Sequence, residues 1–204
     1  MKQAISEWPQ ISIIAEVYPL EKEAPLGVAS KRQPWGEVQN IASLAAEGLG
    51  VKPTHAFRFG AALACYLADG FGPKELHAIL SAPDEIDHLC ALVGDLVEGS
   101  STGQVVHEIP SNSIQHPELL WSFLKSLPCL ADVDCASPSK AWRVRLDLSA
   151  PSQMRRPAMI DLPADLHKKL QVLADRALEM RDGSSGLRGI SAMEIDGQAK
   201  GSSG

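Results

Sequence analysis

The chain has 204 residues, 45% of them apolar and 22% charged, with 19 basic against 25 acidic side chains and a net charge of −6. That length suits one domain with appendages, and the apolar share is enough to bury a core, which excludes wholesale disorder and a collagen-like chain. The acidic balance argues against general polyanion binding, which needs a basic surface.

No run approaches the roughly 18 consecutive apolar residues of a membrane span, so membrane insertion is not expected. Met1 to Gln10 carries Lys2 but no apolar stretch, so no secretory signal is expected either. A cytoplasmic protein follows as the expectation, with free thiols at Cys65, Cys90, Cys129 and Cys135. Only a disulfide between Cys129 and Cys135 would open an extracellular reading.

In chain order, Ile11, Ile13, Ala15 and Val17 alternate with polar neighbours and read as a strand. Pro19 to Pro34, with Pro25, Gly27 and scattered charges, reads as a loop. A helix from about Trp35 to Leu49 carries Val38, Ile41, Leu44 and Ala45 on one face, and Gly48 and Gly50 end it. The helix from Thr54 to Ala68 looks the most buried, with Phe57, Gly60, Ala61, Ala64 and Leu67 as its stripe, Leu63 and Cys65 widening it, and small residues that let a neighbour approach closely. Asp69-Gly70 stops it. A short helix with Leu76, Ile79 and Leu80 follows, and Pro83 opens an amphipathic one with Ile86, Leu89, Cys90, Val93 and Val97.

Val105 to Ile109 reads as a short strand, and an aromatic helix after Pro117 carries Leu119 to Leu124. Cys129 to Lys140 is polar, small and proline-bearing, which reads as loop. Trp142, Val144, Leu146 and Leu148 alternate with Arg143, Arg145 and Asp147, a strand with one face on a core and one in water. Leu162-Pro163 then begins a helix whose Leu162, Leu166, Leu170, Leu173 and Ala177 share a side. This stripe is expected to dock within the same molecule, on the facing strand of Trp142 to Leu148. The fold class is therefore mainly α (α+β): one mostly helical domain over residues 1–182, with a small antiparallel β element and a C-terminal amphipathic helix. Residues 183–204 are expected to form a disordered Gly/Ser-rich tail.

Candidate chemistry is sparse. Gly99-Ser100-Ser101-Thr102-Gly103 matches G-x-S-x-G, but that elbow needs a strand before the serine and a helix after it, the reverse of the order here. The histidines lack the short spacings of metal ligands. Their best cluster, Asp84, Asp87, His88 and Cys90, reads as an acidic helix start, because His88 and Cys90 point to different faces of a helix. No phosphate-cradling glycine loop occurs. No catalytic, cofactor-binding or metal-ligating residue is assigned. Arg143, Arg145, Arg155, Arg156, Lys168 and Lys169 cluster in the C-terminal third. The phrase MIDLPADLHKKLQVLADRA, from Met159 to Ala177, is similar to the strand-then-helix opening of ribbon-helix-helix DNA-binding proteins. A full module needs a second helix after a short turn, and the sequence becomes Gly/Ser-rich there. The lysines therefore read as the solvated face of a terminal helix, and a nucleic-acid partner is not expected.

Two stretches carry a family resemblance. The first is RFGAALACYLADGFGPKELHAILSAPDEIDHLCALVGDLVEG, from Arg58 to Gly99, with its Gly94-Asp95-Leu96 step. The second is Leu120-Trp121-Ser122-Phe123-Leu124, then Ala141-Trp142-Arg143-Val144-Arg145-Leu146-Asp147-Leu148, then the terminal helix. Together they cover about half the chain and resemble the YscK-type (SctK) accessory proteins of bacterial type III secretion. The resemblance implies a non-enzymatic cytosolic adaptor that links an inner-membrane ring to a platform subunit, with protein partners and no cofactor. Two alternatives stand beside it. One is a DNA-associated regulator using the C-terminal basic patch. The other is a small-molecule enzyme, with Asp84 and His88 as its least remote groups.

Overall fold

In the computed structural model, which describes residues 30–100, 104–110, 113–134 and 141–193, strand β1 (Ser30–Pro34) runs straight into helix α1 (Trp35–Gly48). Helices α2 (Pro53–Ala68), α3 (Lys74–Ile79) and α4 (Pro83–Glu98) follow, then β2 (Gln104–Pro110), α5 (Pro117–Lys125) and β3 (Cys129–Asp134). Strands β4 (Ala141–Pro151) and β5 (Met159–Pro163) lead into helix α6 (Ala164–Met193). Among the described residues the protein is mainly helical with small antiparallel sheets, two of them here, in keeping with the expected mainly α (α+β) class. The strand expected over Ile11–Val17 lies outside the described residues, as do Ser101 and Cys135.

Local signals place the helix ends. Pro53, Pro83 and Pro117 each sit in a first helical turn, where the missing N–H has no intrahelical acceptor to lose. Gly50 and Gly70 adopt φ of 89° and 81° just after α1 and α2. That left-handed step lets the Val51 and Phe71 amides reach back to the carbonyls of Ala46 and Tyr66.

Two close approaches organise the helices. α1 packs on α2 along one side and on α6 along the other. A Cβ on Gly60 would overlap the Gln39 carbonyl oxygen and the Ser43 hydroxyl, and one on Gly48 would overlap the Leu173 carbonyl oxygen, so glycine is what lets these backbones meet. α2 also packs on α5 and α4, which makes it the central helix. Gly60, Ala64 and Leu67 of the predicted stripe are buried, as are Leu63 and Cys65 beside it, but its first residue is not. Phe57 is 62% exposed, while Ala56, Phe59, Leu63 and Tyr66 are buried. Neighbours surround most of α2, so Phe59 rather than Phe57 faces the core, where its ring lies 6.4 Å from that of Phe123.

Four further expectations are corrected. Ser30–Pro34, read as loop, is extended because it pairs antiparallel with β5, from Ser30 opposite Pro163 to Pro34 opposite Met159. Cys129–Asp134, also read as loop, is the edge strand of the sheet β2-β4-β3. Leu162 and Pro163 close β5 rather than open the helix, and Leu162 is buried from the strand. Finally, α6 docks within the molecule as expected, but on α1 instead of β4. Leu166, Leu170, Leu173 and Ala177 are all buried there. The helix continues to Met193, past Gly183, where the sequence reading begins the tail.

The resulting layout brings two strand–helix units together, β1–α1 and β5–α6, with their strands forming a ribbon and their helices packed side by side. The segment from α2 to β4 is inserted between them. One hydrophobic cluster spans both parts, from Val38 and Leu170 through Phe59 and Leu120 to Val144 and Leu146.

Candidate functional site

Where α2 ends, the chain turns at Asp69, and the same corner receives α5 and the start of β3. The connector Ser152–Pro157 crosses this corner on its way from β4 to β5. Between these parts lies a groove of about 680 Å³, whose walls include Asp69, Trp121, Leu130, Asp132, Met154 and Arg155.

Its charges are largely satisfied internally. The Lys125 ammonium donates to both oxygens of Asp69, at 2.6 and 2.7 Å, and lies 5.7 Å from the centre of the Trp121 ring. Arg145 pairs with Asp132 across the β3–β4 ladder. Arg155 is exposed and makes no hydrogen bond or ion pair among the described residues. Burial first, and the Asp69 charge next, push Cys65 up to about 12, and burial raises Cys129 as well. The Cys65 thiol instead donates to the Met154 sulfur at 3.4 Å.

The residues singled out by sequence do not converge. Beside Ser101, which lies outside the described residues, Ser100 is fully buried and donates to the Leu96 carbonyl at 2.7 Å. Its oxygen lies 2.8 Å from His107 Nε2, a serine–histidine contact closed to substrate by that burial. Asp84 and His88 are exposed, and Cys90 is buried on the opposite side of α4, its thiol pushed up to about 12 chiefly by burial. Asp87 belongs to a different contact, 2.6 Å from His55 Nδ1. Among the described residues no three His, Cys, Asp or Glu side chains gather as metal ligands would.

The basic residues are likewise dispersed. Arg143 pairs with Glu108, Arg145 with Asp132, and Arg156 stacks over Trp35 at 5.8 Å. Lys169 donates to the His77 carbonyl and the Ser81 hydroxyl. Of the six, Arg155 and Lys168 remain without such partners among the described residues.

One cluster has no sequence signature at all. Tyr66, on α2, donates to Glu118 Oε2 on α5 at 3.2 Å, and Glu75 on α3 buries an Oε2 that finds no partner among the described residues. Burial and the Glu118 charge raise the Glu75 carboxyl above its ordinary range. Three residues on three elements meet here, and nothing in their spacing announces it.

No protein-family model, no curated protein and no solved structure matches the chain. Among the described residues no helix is long and apolar enough to cross a membrane.

Proposed function

We propose that the protein is a non-enzymatic adaptor that binds a partner protein in the groove between α2, α5 and β3. The observation that carries this reading is the groove's own chemistry. It offers an indole, a methionine and one guanidinium without a partner among the described residues, while its other charges are clamped in pairs and burial raises its Cys129 thiol. Catalysis needs a group poised to take or give a proton, or an activated nucleophile, and the two carboxylates lining this surface, Asp69 and Asp132, are each engaged in an ion pair. The narrower reading, a component of a type III secretion sorting platform, rests on the resemblance of residues 58–99 and 120–148 alone. Panning a random-peptide phage library on the protein tests the adaptor. Peptides should be enriched whose capture falls at least tenfold with Trp121→Ala and is indifferent to His88→Ala. No enrichment, combined with a melting shift caused by a metabolite or a divalent metal, would sink it.

A second reading is favoured by the β1–β5 ribbon. The strand-then-helix phrase at Met159–Ala177 does form a strand and a helix, and its strand pairs with another strand that also leads into a helix. A two-stranded ribbon fits the major groove of duplex DNA. Its solvent side carries Arg32 opposite Asp161, 72% and 68% exposed. Gel retardation of random-sequence duplex at low salt, lost with Arg32→Ala, would support this reading, and no retardation would remove it.

A further inference from the structure

We propose that the groove takes an extended, acidic peptide of a partner protein as an added strand along the outer edge of β3. This rests on the adaptor reading and names the chemistry and backbone form of its ligand. The sheet order β2-β4-β3 leaves the outer edge of β3 without a strand partner among the described residues. Strand edges present rows of N–H and C=O groups that are templates for pairing. The groove lies against β3 and also takes in Arg145 of β4, which reaches Asp132 across the ladder. Its wall includes Ala131, which shares the core side with buried Leu146, and also Leu130 and Asp132, which sit on the other side opposite Asp147 and Arg145. A cavity lined by both sides of one strand runs past the strand's margin.

Charge then selects the ligand. Among the described residues five ionic side chains line the groove; Lys125–Asp69 and Arg145–Asp132 cancel in pairs, and Arg155 is left over. The surplus is one positive charge beside the apolar surfaces of Trp121 and Met154. A ligand that matches it supplies main-chain groups to β3, an apolar side chain to Trp121 and Met154, and a carboxylate to Arg155. This is strand addition, in which main-chain bonds give affinity and side chains give specificity.

The test uses the full chain and three capped hexapeptides: alternating valine and glutamate, alternating valine and lysine, and the first peptide N-methylated at every second residue. Binding is read by fluorescence anisotropy and by amide NMR. The valine–glutamate peptide should bind, shift the Leu130, Ala131 and Asp132 amides and slow their hydrogen exchange. N-methylation, which removes pairing donors, should abolish this. Arg155→Glu should weaken the acidic peptide about fivefold or more and favour the lysine one. Equal binding of the N-methylated peptide, unmoved β3 amides, or a charge preference indifferent to Arg155 would each overturn strand addition. If phage-selected peptides still depend on Trp121 while the β3 amides stay unmoved, this proposal falls and the adaptor stands. If no hexapeptide binds, phage panning enriches nothing and a metabolite or divalent metal shifts the melting, both fall.

Discussion

Glu75 is held above the ordinary glutamate range by burial, then by the Glu118 charge, with the Tyr66 hydroxyl partly offsetting both. A carboxyl with a raised folded-state pKa carries no penalty while it is protonated in both states. The penalty grows as pH climbs from the unfolded value through the folded one, so stability is lost on the alkaline side. Glu75→Gln should therefore raise the denaturation midpoint near about pH 7, with the gain shrinking toward about pH 4. A gain independent of pH would mean that the charge is not the cause. Asp147 behaves oppositely. Its carboxylate accepts from the Ser149 hydroxyl at 2.6 Å and the Ser149 amide at 3.0 Å, which holds it below the ordinary aspartate range. Its contribution is present above the ordinary value and lost as pH falls through the lowered one. Ser149→Ala should move the Asp147 titration upward, as read by carboxyl carbon NMR.

Helix α1 is the element on which the others depend, because α2 and α6 grip opposite sides of it. Gly60→Ala would drive a methyl into the Gln39 carbonyl and the Ser43 hydroxyl, which itself bonds back to Gln39 O at 2.9 Å. Forcing these helices apart should cost about 1–3 kcal/mol, measured by urea unfolding. Leu170, fully buried against α1, should cost about 2–5 kcal/mol on truncation to alanine. An unchanged midpoint in Leu170→Ala would mean that α6 leaves its seat in solution and serves a partner instead. Arg181 on α6 pairs with Glu47 on α1, its guanidinium more than half exposed and the Glu47 carboxylate mostly covered.

At the scale of the molecule, the two strand–helix units and the inserted segment share one hydrophobic cluster, so neither half has a core to itself. Unfolding should be a single cooperative transition, with far-ultraviolet circular dichroism and tryptophan fluorescence giving coincident curves. Trp35 reports on the α1 side and Trp121 on the groove side, so non-coincident curves would reveal two independently folding units.

Much of the helical order is legible in the sequence because its signals are local. Proline at a first turn, glycine in a left-handed step and the alternation of Trp142 to Leu148 each act over a few residues, and the structure follows them at Pro53, Gly50, Gly70 and β4. The strands β1 and β3 carry no such pattern. Ser30–Pro34 becomes extended because β5, far along the chain, supplies its hydrogen bonds, and Cys129–Asp134 does so because β4 lies beside it. The same distance hides the candidate site. The Lys125–Asp69 and Arg145–Asp132 pairs that neutralise the groove, and the Tyr66–Glu118 contact, join residues whose separation has no period to read. The amphipathic stripe of α6 required burial somewhere within reach. That it found α1 rather than β4 depended on Gly48, whose missing side chain leaves room for the Leu173 backbone, and no one-dimensional pattern expresses that fit.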